Sequence, residues 1–318
     1  MYGKSVKENS YMCRTYRMDE ELGSGGSGAV FKAWHKRLRK YVVVKIVKIG
    51  SSGKPEVRRN EVEALKNIKN LYVPQVLDFC SENGHCFTVM EYIDGVSFDK
   101  LLRIGRRFPE EQVMKWYRQL ASVLEEVHRN NVCHRDIKPA NIMLMKSGDI
   151  CLIDFNSAFV GGNDTGMISR SMGYASPEQY EYFKMCRDVF AGNVMQYSHY
   201  IEAILLSGDC ATELVTGTPT NIAGNDAGSI RKSIDCERRY DVYNIDWKLS
   251  DIYSLGATML HFLTGKRPPV KADDVACISN IVGISGGLLQ IIGKSMKTDP
   301  AERYFSAEEL SYAIWNIM

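Results

Sequence analysis

The hydrophobic pattern of the chain changes at the turn signal Asp94-Gly95. Before this turn, the segments Tyr41–Val47 and Cys86–Ile93 are rich in β-branched and aromatic residues, which is typical of buried strands. After it, Glu110–Asn130 repeats apolar residues at helical spacing. The pattern therefore predicts a small strand-rich lobe followed by a larger helical lobe.

The charge balance of the chain bears on its partners. Forty basic and thirty-eight acidic residues among 318 give a formal charge of +2, whereas a general nucleic-acid binder carries a strong basic excess. The basic run 35–40 has two interpretations, a local nucleic-acid patch or a solvated turn between two strands, and we favour the turn. We expect no nucleic-acid partner.

The cysteines and the lengths of the apolar runs indicate the cellular compartment in which the protein is expected. The nine cysteines include no CxxC pair, and the spacing of Cys80 and Cys86 fits no common zinc template. Free thiols in a reducing cytoplasm are the simpler account. No run of about eighteen apolar residues occurs, so we expect a cytoplasmic protein without a membrane span in this chain. An anchor beyond Met318 in a longer natural protein stays open.

Gly23, Gly25 and Gly28 of the strand-rich lobe form the pattern GxGxxG, and a fourth glycine, Gly26, lies within it. Backbone amides without side chains approach phosphate oxygens closely, although the pattern alone is a weak signal. A dinucleotide-binding fold requires a helix directly after the glycines. Residues 29–34 instead have a strand-like pattern, which predicts a hairpin that lies over phosphates.

Lys45 lies in the middle of an apolar strand pattern. A buried lysine is costly unless it is paired, so two interpretations arise. The lysine either extends to solvent from an edge strand, or is a phosphate-binding cation held by a carboxylate of the next helix. That helix is predicted within 55–67, where Glu61 is the first candidate partner and Glu63 the alternative.

The segment Cys133–Leu144 contains the pattern HRDxKPxN, and Asp154 follows Asn141 by thirteen residues. Together with the glycine-rich hairpin and the strand lysine, this ordered series resembles the eukaryotic-type protein kinase family. The resemblance covers about residues 16–315 apart from one insertion. The amino-acid sequence around residues 174–179 is most similar to that of bacterial serine/threonine kinases.

The resemblance implies an α+β, bilobal protein-kinase-like fold, with a small antiparallel β-rich N-lobe and a larger, mainly α-helical C-lobe. The implied division is an N-terminal extension over 1–15, a nucleotide-binding N-lobe over 16–94 and a catalytic, substrate-binding C-lobe over 95–318. An atypical insertion lies within about 182–246.

The resemblance assigns chemical roles to four catalytic residues. Asp136 would orient the substrate hydroxyl and accept its proton, and Lys138 would neutralise the migrating phosphoryl group. Lys45, paired with Glu61, would hold the α- and β-phosphates of ATP. Phosphoryl transfer depends mainly on positioning and charge neutralisation, which such a set supplies.

The resemblance also implies sites for metal and nucleotide. Asn141 and Asp154 would supply the oxygen ligands that Mg²⁺ prefers, with Mn²⁺ as an alternative ion. Glu91 and Ile93 would offer backbone groups to adenine, next to the gatekeeper Met90. The implied nucleotide-binding set is Gly23, Gly25, Gly26, Gly28, Val30, Val43, Lys45, Met90, Glu91, Ile93 and Met143.

Three polar features of the family pattern are interpreted as scaffold. We expect His134 to pack in the core beside Phe155 instead of performing acid–base chemistry. Asp251 would brace the catalytic loop by accepting backbone hydrogen bonds. Glu178 is expected to pair with Arg303.

The resemblance implies a protein substrate with a serine or threonine acceptor, because Lys138 is typical of the serine/threonine members. Ser171 occupies the position of a threonine that lines the substrate site. Thr165 and Ser169 are candidate autophosphorylation sites, and a phosphate there would pair with Arg135 and order the loop. Loop hydroxyls without regulatory use are the alternative.

The chain departs from the family pattern at three places. Asn156 replaces the glycine of DFG, and asparagine tolerates positive φ better than most residues, so we expect the backbone turn to survive. Val43 replaces an alanine above adenine and adds two methyl groups to the pocket. Seventy-three positions separate Glu178 from Asp251, whereas a few tens are usual.

These departures leave rival functions open. A pseudokinase would use the same fold as an ATP-binding or partner-binding module, and Asn156 and Val43 favour it. The complete polar set favours an active kinase. A small-molecule phosphotransferase of similar fold would not be expected to keep Ser171 and the Glu178–Arg303 pair. The substrate, the activating signal, the oligomeric state and the role of the insertion stay open.

Overall fold

A computed structural model of the protein describes residues 10–25, 28–48, 60–161, 170–183, 245–269 and 283–317. Its largest sheet is antiparallel and has five strands in the order β1-β2-β3-β5-β4. These strands are β1 (Tyr16–Gly25), β2 (Gly28–His35), β3 (Lys40–Lys48), β4 (Val76–Glu82) and β5 (His85–Glu91).

Strand β3 shows how the sequence gives this sheet two different faces. Successive side chains of a strand point to opposite faces. Val42, Val44 and Ile46 are buried in one apolar cluster, so Val43 and Lys45 face the opposite side of the sheet. The alternation therefore aims Lys45 away from that cluster.

The first described helix, α1 (Tyr11–Thr15), completes this cluster from outside the sheet. Met12 is fully buried in it, and Tyr16 at the start of β1 joins it. The hydroxyls of Tyr11 and Tyr16 both donate to Asp78 Oδ2, at 2.8 and 3.0 Å. The described end of the N-terminal extension is thus packed against β4.

The glycine-rich segment forms the predicted hairpin, with Gly25 of β1 opposite Gly28 of β2. A Cβ atom at Gly28 would lie 2.1 Å from the carbonyl oxygen of Ile46, so only glycine allows β2 and β3 to approach this closely. Gly26 lies outside the described residues. The basic run is confirmed as an exposed turn, at 36–39 between β2 and β3.

The second part of the chain is mainly helical. Its helices are α3 (Phe98–Arg103), α4 (Glu110–Arg129), α5 (Trp247–Thr264), α6 (Gly286–Ser295) and α7 (Ala307–Trp315), after a short helix α2 (Asn60–Leu65) in the first part. Aromatic side chains anchor their core, since Phe98 stacks on Phe262 at 4.2 Å between ring centroids and meets Trp116 edge to face. The two parts confirm the α+β bilobal fold.

Two small sheets contain the strands that precede and follow the HRDxKPxN segment. One has the order β6-β8-β9, formed by Gly95–Ser97, Ile142–Met145 and Ile150–Leu152. The other pairs β7 (Val132–Cys133) with β10 (Phe159–Val160). The HRDxKPxN segment therefore runs between β7 and β8, and Asp154 follows β9.

The predicted segments differ from the observed ones at their ends. Strand β5 ends at Glu91, two residues before the predicted end, and Pro109 caps α4 from outside its first turn. Of the helix predicted within 55–67, the structure describes α2 from Asn60.

The described residues contain no helix that is both long and apolar enough to cross a membrane. The cysteines whose side chains are described form no disulfide: Cys13, Cys80, Cys86, Cys133 and Cys151. Most of the insertion, 184–244, lies outside the described residues, as do Thr165 and Ser169.

Candidate active site

Lys45 joins three elements of the site. Its Nζ donates to Glu61 Oε1 of α2 at 2.5 Å and to Asp154 Oδ1 at 3.2 Å. Glu61 Oε1 also accepts from the backbone N–H of Phe155 at 3.2 Å, so the carboxylate links β3 to the segment after β9. Glu63, the alternative partner, instead pairs with Lys66, the residue that directly follows the same helix.

The charges of this cluster support one another. Burial alone would lower the pKa of Lys45, but the nearby carboxylates of Asp154 and Glu61 outweigh burial and raise it. Burial likewise opposes ionisation of Asp154, and the adjacent Lys45 ammonium nevertheless lowers the pKa of this carboxyl. Both side chains are therefore charged at neutral pH.

Asp251 of α5 fixes the loop after β7. Its two carboxylate oxygens accept the backbone N–H groups of His134 and Arg135, each at 2.8 Å. Arg135 has a left-handed φ of 61°, a conformation that is strained for a residue with a Cβ and that these hydrogen bonds hold in place. The predicted bracing contacts of Asp251 are thus present.

Asp136 lies at the centre of a polar cluster and is 7% exposed. Its Oδ2 accepts from Asn141 Nδ2 and from Lys138 Nζ, both at 2.9 Å. Its Oδ1 accepts from the hydroxyl of Ser171 at 2.8 Å, and Lys138 also donates to that hydroxyl at 3.0 Å. The geometry brings a carboxylate, an ammonium and a hydroxyl-binding position together.

Two oxygen atoms of this region have the chemistry of magnesium ligands. Asn141 uses its amide N–H groups on the carbonyl and carboxylate of Asp136, which leaves its own amide oxygen for another partner. Asp154 is held through Oδ1, and no described residue donates to Oδ2. Because a hard divalent cation prefers such oxygens, the donor set fits Mg²⁺.

The residues assigned to the nucleotide lie on the strands next to Lys45. Val30 of β2 is paired with Lys45, and Val43 of β3 with Met90 of β5. The backbone N–H of Glu91 donates to the carbonyl of Gln75 at 3.0 Å, so this N–H is already used within the protein.

The remaining nucleotide candidates lie at other edges of the same region. Gly23 of β1 is paired with Val30 of β2. Ile93 follows β5, just past its last residue, and Met143 of β8 is half-buried. None of these positions conflicts with the predicted set, but their geometry gives no further support for it.

Two predicted scaffold contacts are present. Arg303 forms a bidentate ion pair with Glu178, at 2.6 and 2.8 Å, and both side chains are buried. The His134 ring is fully buried and meets Phe155 edge to face at 4.5 Å.

The surroundings of Arg135 were not evident from the sequence. Its Nε donates to the carbonyl of Ser157 at 2.7 Å, and its guanidinium lies 5.7 Å from the ring centre of Phe159 and 5.0 Å from that of Trp247. Arg135 is 1% exposed, so its described contacts are internal. The partners lie far away along the chain, and no local spacing pattern indicates them.

A second contact that the sequence analysis missed involves Asn156. Its Nδ2 donates to Asp154 Oδ1 at 2.6 Å. Asn156 was expected to accommodate a positive φ, but the residue that adopts one is Asp154, at 69°. The asparagine therefore contributes a side-chain hydrogen bond, and its backbone does not adopt a positive φ.

Comparison with known proteins agrees with this architecture. The family model of the protein kinase domain matches residues 16–224, and the chain belongs to this family. A probable serine/threonine-protein kinase of Streptomyces coelicolor is 31% identical over 178 residues, which cover 52% of this chain and 26% of the relative. The serine/threonine-protein kinase PknA of Corynebacterium glutamicum is 27% identical over 272 residues, which cover 80% of this chain and 57% of the relative.

A probable serine/threonine-protein kinase of Clostridium acetobutylicum is 29% identical over 191 residues, which cover 57% of this chain and 29% of the relative. The chain thus spans between 26% and 57% of the length of the three curated relatives.

Proposed function

We propose that the chain is a protein kinase that transfers the γ-phosphate of ATP to a serine or threonine hydroxyl of a protein substrate. The observation that carries this proposal is the arrangement around Asp136, whose carboxylate is held by Ser171 and Asn141 beside the Lys138 ammonium. The names of the relatives support serine/threonine specificity.

The proposed reaction is a direct displacement at the γ-phosphorus. Asp136 accepts the proton of the substrate hydroxyl, the hydroxyl oxygen forms a bond to phosphorus, and the bond to the leaving ADP oxygen breaks. The hydroxyl of Ser171 donates to Asp136 Oδ1 in this structure. It therefore marks a position beside the carboxylate that a substrate hydroxyl would take. Lys138 neutralises charge on the transferred group.

Lys45 and the metal ligands would hold the nucleotide. Lys45 is kept cationic by Glu61 and Asp154. It lies on the face of β3 opposite the apolar cluster of Val42, Val44 and Ile46, where it would bind the α- and β-phosphates. Asn141 and Asp154 would hold Mg²⁺, with Mn²⁺ as an alternative. When bound, the ion neutralises negative charge on the phosphate oxygens.

The experiment that tests this function is transfer of label from γ-labelled ATP to a generic basic protein, followed by mapping of the labelled residues. We expect label on serine and threonine, and also on the chain itself if Thr165 or Ser169 is an autophosphorylation site. Label on tyrosine alone would contradict the proposed specificity. Metal-dependent ATP binding without transfer to any protein would support the pseudokinase alternative.

A further inference from the structure

The side chain of Asn156 contacts Asp154, the proposed metal ligand. Asn156 Nδ2 donates to Asp154 Oδ1 at 2.6 Å, and Lys45 Nζ donates to the same oxygen at 3.2 Å. The amide nitrogen is the only donor in the asparagine side chain, so the contact also fixes the orientation of the amide group.

Two donors on one oxygen determine where the other oxygen points. The Asp154 side chain is 38% exposed, and within the described parts of the chain only Lys45 and Asn156 bind its carboxylate. With the amide removed, one flexible lysine would hold the carboxylate. With the amide present, Oδ2 keeps one direction. Less conformational entropy of the carboxylate is then lost when a metal ion binds to it.

A need for positive φ does not account for the asparagine. The described non-glycine residues with positive φ include Asp154 but not Asn156, so position 156 does not require the freedom of glycine in this conformation. Asn156 is also exposed, so its side chain contributes little to the core.

We infer that Asn156 is a positioning residue that orients Asp154 for the divalent cation of a metal–nucleotide complex. This inference rests on the proposed function and deepens it. It also reverses the sequence-based interpretation of Asn156, because a residue that departs from the DFG pattern here supports the metal ligand instead of weakening it.

The test is a titration of Mn²⁺, followed by electron paramagnetic resonance of the free ion, in the presence of a non-hydrolysable ATP analogue. Wild type is compared with Asn156→Ala and with Asn156→Leu, which keeps the size of the side chain and removes its donor. Asn316→Ala is the matched control, because the Asn316 amide donates to the carbonyl of Tyr312 in α7.

We expect both Asn156 variants to bind Mn²⁺ about 10-fold more weakly, as is typical when a partner of a metal ligand is removed. Their affinity for the analogue without metal and their metal-free melting temperature should match those of wild type. Asn316→Ala should leave all three quantities unchanged.

Three results would overturn the inference, and they differ in what they imply for the function. Equal Mn²⁺ affinity in wild type and both Asn156 variants would overturn the role of Asn156 while the proposed kinase function stands. Absence of metal–nucleotide binding by wild type would overturn both. Loss of metal-free stability in both variants, in proportion to the loss of Mn²⁺ affinity, would show a structural role instead.

Discussion

At the scale of single residues, Lys45 illustrates how a costly buried charge is stabilised. Its side chain is only 15% exposed, so the interpretation that it extends to solvent is wrong. Burying an ammonium is unfavourable unless opposite charges compensate, and Glu61 and Asp154 provide them. The three charges come from separate parts of the sequence, so the fold has to form before the lysine is stabilised.

Lys45→Met should lower the rate of phosphate transfer by about 100- to 1,000-fold, because one preorganised cation at the phosphates is lost. Steady-state kinetics with varied ATP would measure the effect. Lys48→Met is the matched control, since Lys48 is exposed at the end of the same strand. Equal rates for the two variants would contradict the role proposed for Lys45.

His261 of α5 provides a pH-dependent contribution to stability. Burial is the main cause that lowers the pKa of His261 to about 4, and Arg267 adds to the effect. Its Nδ1 lies 2.6 Å from the hydroxyl of Tyr174, which donates to the neutral ring. Since the pKa is lower in the folded state, the contribution is complete above about pH 6.5 and is lost as the pH falls towards 4.

His261→Gln should reduce the loss of stability between pH 7.5 and pH 5 by about 1 kcal/mol, after allowance for the partial exposure of the ring. Glutamine is chosen because its amide oxygen accepts the Tyr174 hydrogen bond without titrating in this range. Urea unfolding at the two pH values measures the difference. A variant with the same pH dependence as wild type would show that His261 does not titrate on unfolding.

At the scale of elements, α5 holds the loop after β7 in place through side-chain contacts. Its Asp251 holds the backbone of the loop after β7, and its Trp247 covers the Arg135 guanidinium. Arg303 follows the short 3₁₀ turn Pro300–Glu302. Its guanidinium donates to the carbonyl of Leu249, near the start of α5, and to the carboxylate of Glu178. Buried polar contacts therefore tie the loop after β7 and the segment around Glu178 to the helical core.

Arg303→Met should lower the free energy of unfolding by about 3 to 5 kcal/mol, because the Glu178 carboxylate would remain buried without its partner. Denaturant unfolding measures this change. Arg103→Met is the matched control, since the ion pair of Arg103 with Asp99 lies largely in solvent. Comparable losses in the two variants would contradict a special role for the buried pair.

At the scale of the whole molecule, the site forms where segments distant in sequence meet. Periodicity was sufficient to predict β3, α4 and the hairpin of β1 and β2, because their burial patterns are local. The motif residues were identifiable through the family pattern, and the contacts of Glu61, Asp251 and Arg303 followed from it. The contacts of Asn156 and Arg135 were not predictable, because they depend on side-chain directions and on partners brought together only by the fold.

The measurement that tests the central claim most directly is single-turnover phosphate transfer by wild type and Asp136→Asn, with nucleotide binding followed in the same samples. Asp149→Asn serves as the matched control, because Asp149 lies in the turn before β9 and pairs with Lys115 of α4. We predict that Asp136→Asn binds ATP as wild type does and transfers phosphate about 100- to 10,000-fold more slowly, through loss of the proton acceptor. Transfer at the wild-type rate by Asp136→Asn would contradict the proposed mechanism.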